Sequence, residues 1–265
     1  MRRLLRLLGV VFWLGSFFVG ARLISILVKD PVKRRLRLAC NTSSTARHML
    51  KPFHISVQVV NPEKLACLQE SNHLIVGNHV SYTDIIVLSS LHPFVFITSQ
   101  DMGETPLLGT ITRQGGCLYT ERKKITTLPQ EIYGFAQALR DGFDVVLFPE
   151  GTSTNGETIR EFRKSLFQTS LIAEKPLLPI CIRYTRLDGK PIMTQQQRDK
   201  VCWYGDMEFV PHLWEYLLHE VEVTVTVLDS IPYSPQQNRQ ALCDSVYHSL
   251  LTAFSASMAD SAETN

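Results

Sequence analysis

Among 265 residues there are six cysteines, and no two stand as C-x-x-C or share histidine partners at zinc-ligand spacing. Cys40, Cys67, Cys117, Cys181, Cys202 and Cys243 are scattered as reduced thiols usually are, so neither a disulfide framework nor a metal site is expected. Acid is nearly missing from the first 51 residues, where 11 Lys/Arg face only Asp30, a balance of +10. The whole chain carries +2, so the remainder carries −8. A basic end on an acidic body suits an anionic surface at that end, and no nucleic-acid partner is expected. No internal repeat is present, which sets solenoids and propellers aside.

Charge is also missing from Leu7 to Val28, "LLGVVFWLGSFFVGARLISILV", where Arg22 alone is ionised over 22 residues. That length matches a bilayer core of roughly 30 Å. Three readings stay open: a transmembrane helix, a re-entrant or interfacial helix, and a signal peptide. The last is disfavoured by the length of the run and by the lack of a small-x-small cleavage site. Basic residues flank both ends, Arg2, Arg3 and Arg6 before and Lys29, Lys33, Arg34, Arg35 and Arg37 after, so the positive-inside rule assigns no polarity. Pro31 to Lys51 then reads as a basic helix able to lie on headgroups.

From His54 the pattern changes to short β-rich runs alternating with helical ones. Strands are expected at Ile55–Val60, His73–Val76, Phe94–Thr98, Cys117–Tyr119, Asp144–Phe148, Leu178–Tyr184 and Val221–Leu228. Helices are expected near Asp84–Leu91, Leu128–Leu139, Phe162–Ala173 and Gln237–Phe254. This alternation predicts an α/β fold: a mixed, largely parallel central sheet flanked by helices, preceded by an N-terminal membrane-anchoring helical segment. "VEVTVTVL" alternates like a half-exposed edge strand, whereas "VVLF" is apolar throughout and reads as central. The expected division is membrane-associated helices at 1–51, an α/β domain at 52–255 and an unstructured tail at 256–265.

His79 and Asp84 stand five apart in "IVGNHVSYTDIIVL". Five helical residues turn through about 500°, so the two cannot share a helix face. They can meet if His79 leaves a strand and Asp84 lies in the first turn of the next helix. Ser81 is a plausible N-cap, with Asp84 closing an S-x-x-D capping box. Two roles remain open: a helix cap beside an incidental histidine, or a carboxylate that fixes the imidazole tautomer and leaves the other nitrogen free as a general base.

An internal nucleophile is hard to find. "FPEGTSTNG" (148–156) falls one glycine short of the G-x-S-x-G elbow around Ser153, and as a P-loop it has Glu157 where lysine belongs. A base without its own nucleophile suits a hydroxyl on the substrate, and deprotonating an alcohol as it attacks a thioester is acyl transfer.

These residues resemble the glycerolipid acyltransferases of the 1-acyl-sn-glycerol-3-phosphate acyltransferase (PlsC) type, which carry four ordered blocks. Asn78-His79 through Asp84 resembles the first block, N-H-x4-D; "GCLYTER", ending at Arg122, the second; "FPEGTSTNG" the third; and "LLPICI" around Pro179 the fourth. The resemblance implies that His79 and Asp84 are catalytic. It implies that Asn78, Arg122, Glu150, Gly151 and Thr152 bind substrate, and that the region of Pro179 is associated with the acyl donor. It implies an O-acyltransferase that uses acyl-CoA or acyl carrier protein as co-substrate, needs no cofactor, and acylates the free hydroxyl of a lysophospholipid in phospholipid biosynthesis. It further implies membrane lipids as surroundings and an active site facing the cytoplasm. Two departures bear on the headgroup: Ser99-Gln100 stand where the family often has lysine, and Phe162-Arg163-Lys164-Ser165 stands where the family tends to have two basic residues and then glycine. Acceptors with other headgroups, a lyso-ornithine lipid or lysophosphatidylcholine, therefore stay open, as does a lipid hydrolase using Ser153.

Overall fold

The structure, a computed structural model, describes residues 2–121 and 125–263. Its helices are α1 (Arg2–Leu27), α2 (Pro31–Phe53), α3 (Cys67–Glu70), α4 (Thr83–Leu91), α5 (Gln100–Glu104), α6 (Leu108–Gln114), α7 (Leu128–Arg140), α8 (Gln168–Ala173), α9 (Gln195–Arg198), α10 (Phe209–Tyr216) and α11 (Arg239–Glu263). Its strands are β1 (Ile55–Val60), β2 (Leu74–Gly77), β3 (Val95–Ser99), β4 (Leu118–Thr120), β5 (Val145–Leu147), β6 (Leu177–Leu187), β7 (Lys190–Pro191) and β8 (Val221–Val227).

The strands form one sheet in the order β1-β8-β6-β2-β5-β3-β4, with β7 paired to β6. Among the described strands the β6–β8 and β6–β7 pairs are antiparallel and the rest parallel. Helices cover both faces, which is why β2 and β5 are apolar and buried at every position. One core layer joins Met49 and Phe53 of α2 and Val87 and Leu88 of α4 to Ile75, Val146 and Ile180. The other joins Phe135 and Leu139 of α7 and Val246 and Leu250 of α11 to Leu74, Val76 and Val145.

The structure differs from three expectations. Val221–Val227 is not an edge strand, because it pairs with β1 on one side and β6 on the other. Its alternation reports that one face is less covered, and says nothing of lateral neighbours. The chain beyond Phe254 is helical to Glu263 rather than an unstructured tail; Ala256, Ala259 and Ala262 are strong helix formers and no glycine or proline intervenes. The helix expected at 162–173 is split into a 3₁₀ turn, Lys164–Phe167, and the short α8.

Helices α1 and α2 form an antiparallel hairpin. Asp30 starts α2, its carboxylate accepting the Lys33 N–H at 2.7 Å, with Pro31 preset in the first turn. Close approach is recorded along the whole length. Gly9 faces Pro52, Trp13 stacks on His48 with centroids 4.1 Å apart, and Asn41 donates to the Phe17 carbonyl at 3.0 Å. The outer side of α1 is left bare, exposing Leu4, Leu5, Leu8, Val11, Phe12, Val19, Leu23, Ile26 and Leu27.

Candidate active site

Strand register assembles the site. Val76 of β2 lies opposite Leu147 of β5 and Pro179 of β6, so the chain leaving β2, Asn78-His79, emerges beside Phe148-Pro149-Glu150 leaving β5. This is the carboxyl edge of parallel strands in mid-sheet, where open α/β folds place their ligands.

His79 and Asp84 meet: Nδ1–H of His79 donates to Oδ2 of Asp84 at 2.8 Å. The same oxygen accepts the backbone N–H groups of Val80 at 2.8 Å and Ser81 at 3.0 Å. The capping role and the dyad are therefore one arrangement. Asp84 satisfies the amides that lead into α4 and, from that fixed position, holds the imidazole. The reciprocal half of the capping box is weak, since the Ser81 hydroxyl accepts the Thr83 hydroxyl at 3.0 Å and the Thr83 N–H only at 3.4 Å, rather than the Asp84 N–H. Asp84 is 0 % exposed and the His79 side chain 21 %, so the pair is anchored inside while the ring edge reaches outward. Among the described residues, the His79 side chain hydrogen-bonds only to Asp84, which leaves Nε2 free. Phe148 stacks on the imidazole at 4.3 Å and 12°, and Phe96 backs Phe148. A Cβ on Gly77 would lie 3.3 Å from both the Phe148 ring and the Ile180 carbonyl, so a side chain there would press on the ring that backs His79.

Of the residues expected to bind substrate, two are turned inward. Asn78 donates to the Ile182 carbonyl and accepts the Ile182 N–H, each at 2.8 Å, and so extends the β2–β6 pairing as a side-chain clamp. Glu150 is 4 % exposed. Its Oε1 accepts the His79 N–H at 2.7 Å and its Oε2 the Arg160 N–H at 2.8 Å. In this structure the polar atoms of both residues engage backbone groups and so support the His79 loop. Burial pushes the Glu150 carboxyl up to about 7, against the pull of the Arg160 and His79 amides.

Gly151 has φ +76, and a Cβ there would meet the Arg163 guanidinium at 3.0 Å, so backbone and arginine lie face to face. Thr152 is exposed. Arg122 lies outside the described residues, two positions after β4 ends at Thr120. Ser99, at the place of the family's lysine, caps α5 through a hydroxyl that accepts the Met102 N–H at 3.2 Å. Ser153 does not hydrogen-bond His79, so the partner required by a serine hydrolase is not in place.

Tyr184 was not foreseen from sequence. Its hydroxyl donates to Asp84 Oδ1 at 2.8 Å and lies 2.6 Å from Thr83 Oγ1. Burial, and then the Asp84 charge, hold this phenol well above its usual range, so its proton stays on and remains available to the carboxylate. "LLPICIRYTRL" is expected only as strand and donor region, and nothing in it marks one tyrosine 100 residues away as the aspartate's second partner. A cavity of about 190 Å³ lies behind the dyad loop, lined in part by Val80, Tyr184, Ile182, Cys202 and Arg198.

Residues 56–183 match the family model described as Acyltransferase. A lyso-ornithine lipid O-acyltransferase of Rhizobium meliloti is 34% identical over 175 residues, 63% of this chain and 60% of that protein. A 1-acyl-sn-glycerol-3-phosphate acyltransferase of Neisseria meningitidis is 25% identical over 249 residues, 94% of this chain and 91% of that protein. The crystal structure of PlsC, the 1-acyl-sn-glycerophosphate acyltransferase from Thermotoga maritima, superimposes with a TM-score of 0.66 at 16% identity, covering 97% of each chain, and supports the fold. Against the lyso-ornithine lipid relatives of Rhizobium meliloti and Brucella abortus the match spans 60% and 66% of their length.

Proposed function

We propose that this chain, which matches the Acyltransferase family model over residues 56–183, moves a fatty acyl group from a thioester to the free hydroxyl of a lysolipid. The observation that carries the reading is the His79–Asp84 bond, with Nδ1 engaged at 2.8 Å and Nε2 open. Nε2 takes the proton of the acceptor hydroxyl as that oxygen attacks the thioester carbonyl. The C–O bond forms, the C–S bond breaks, and the departing thiolate recovers the proton from the imidazolium. Asp84 offsets the positive charge on the ring during this exchange, while Glu150, Asn78 and Tyr184 hold the loop and the carboxylate in place. Thr152, Gly151 and Arg122 remain assigned to the acceptor headgroup, and acyl-CoA or acyl carrier protein to the donor.

A lysophospholipid such as 1-acyl-sn-glycerol-3-phosphate is the acceptor in the principal reading, supported by a relative so named that aligns over 94% of the chain. A lyso-ornithine lipid is the second reading, favoured by the 34% identity to the Rhizobium meliloti protein and by Ser99-Gln100 standing where the family often has lysine. The chain is membrane-associated in either case, its catalytic face on the cytoplasmic side. The most apolar 18-residue window of α1 has a mean hydropathy of 2.0 and is mostly bare. Yet α2 lies along its full length and brings Lys33, Arg34, Arg35 and Arg37 with it, and four such cations cannot share a bilayer core. The hairpin therefore favours a helix lying in one leaflet over one that spans.

The purified full chain, given a panel of lysolipids with each donor type, should yield one diacylated product identified by mass. His79→Ala should abolish it without changing the circular dichroism spectrum. Turnover retained by that variant would remove the mechanism.

A further inference from the structure

The apolar surface does not end with α1. Val210 and Trp214 on α10 and Leu218 in the turn that follows it stand at four-residue spacing and are 69 %, 45 % and 46 % exposed. The opposite face, His212 and Tyr216, is buried, and Tyr216 packs edge-on against Phe53 of α2 at 5.8 Å. Such a stripe is uncommon on a surface that meets only water.

α10 is fastened to the start of α1. The Arg3 guanidinium lies 4.6 Å over the Trp214 ring and 3.6 Å from Glu215. Arg6 donates to the carbonyls of Leu217 at 3.0 Å and His219 at 2.9 Å, just past the α10 C-terminus, where a cation is favoured. These bonds set α10 beside the first turns of α1, whose Leu4, Leu5 and Leu8 are bare. At the α1 side of α10 the acids have partners: Glu215 also meets His219 at 3.3 Å, and Glu220 meets Arg6 at 3.9 Å and His54 at 3.3 Å, while the exposed Asp206 and Glu208 stand before Val210 at the other end.

We propose that α10 is a second membrane-contact element, with Val210, Trp214 and Leu218 seated at the headgroup boundary of the leaflet that receives α1. This rests on reading α1 as the membrane helix. The occupant is lipid because the stripe is continuous with that helix and because an indole flanked by arginine is suited to the zone between headgroup and chain. Two contacts of the same leaflet, one at each side of the Arg3–Trp214 join, would fix the rotation of the domain on the bilayer. The domain could not then swing freely about a single helix.

The test uses full-length protein and vesicles of phosphatidylethanolamine and phosphatidylglycerol with brominated acyl chains. Flotation with the vesicles reports α1. The fluorescence difference between the parent and Trp214→Phe isolates Trp214 from Trp13 and Trp203, and should be quenched by brominated lipid. Leu218→Asp with Trp214→Asp should lower vesicle partitioning about tenfold or more while turnover in detergent micelles stays at the parent level. Flotation with an unquenched Trp214 difference overturns the α10 assignment and leaves α1 in place; no flotation overturns both. A stripe covered by a second copy would appear as Trp214 shielded from brominated lipid together with a dimer that Trp214→Asp dissociates, and would also overturn the proposal.

Discussion

Asp84→Asn separates the two things that this carboxylate does. Oδ2 accepts from His79 Nδ1, Val80 N and Ser81 N, and Oδ1 accepts from the Tyr184 hydroxyl. An asparagine with its carbonyl oxygen in the Oδ2 position keeps the first three bonds. Its amide then faces Tyr184, whose hydroxyl can turn its proton to Thr83 Oγ1, 2.6 Å away, and accept instead. The fold should therefore lose about 1 kcal/mol, the worth of one weakened hydrogen bond. The rate should fall far more. With no negative charge beside the ring the imidazolium is uncompensated, and with the amide turned the other way the ring takes the wrong tautomer; either costs about 10³–10⁴-fold, or about 4 to 5 kcal/mol of barrier. Thiol release from the acyl donor at saturating lysolipid reads the rate, and the urea midpoint reads the fold. A variant within about tenfold of the parent rate, at an unchanged midpoint, would refute the general-base assignment and leave Asp84 as a helix cap.

Tyr184→Phe removes the one donor to Asp84 Oδ1 without touching the ring, so kcat should fall about tenfold, the KM for lysolipid should hold, and the acid limb of the rate profile should move to higher pH; a change confined to thermal stability would reduce the tyrosine to packing. Glu150 offers a pH test of stability. Its carboxyl is raised from 4.5 to about 7 by burial, so the folded chain binds this proton more tightly than the unfolded one. The stabilisation is complete below about pH 4.5 and is lost as pH climbs through about 7, by at most about 3 kcal/mol. Relative to Glu150→Gln, which does not titrate, the parent's urea midpoint should drop between about pH 5 and 7.5, and parallel curves would overturn the assignment.

Strand positions were legible because short apolar runs bounded by turn residues have few alternatives. Ile55–Val60 is reproduced to the residue, and the others are offset at their ends by one to three. Lateral order was less accessible. β8 alternates as an edge strand does, yet it lies between β1 and β6, since period two records which face is covered and never which strand is adjacent. α10, α6 and the two-residue β7 were missed, being too short to show a period.

At the site, the spacing of His79 and Asp84 excluded a shared helix face and required a strand exit followed by a first turn, and that is how the two residues meet. Sequence offered the cap and the base as rivals because a residue string carries one label per position. Three dimensions remove the rivalry: an oxygen that already accepts two backbone amides cannot rotate away, so the cap is what makes the carboxylate a rigid partner for imidazole. The supports stayed hidden for a related reason. Glu150 reaches the His79 amide across 71 positions and Tyr184 reaches Asp84 across 100, through a register that only the folded sheet sets. Motif residues such as Glu150 and Asn78 bind backbone around His79, because motifs mark what a site requires, and a base that must be held still requires its struts as much as its ligands.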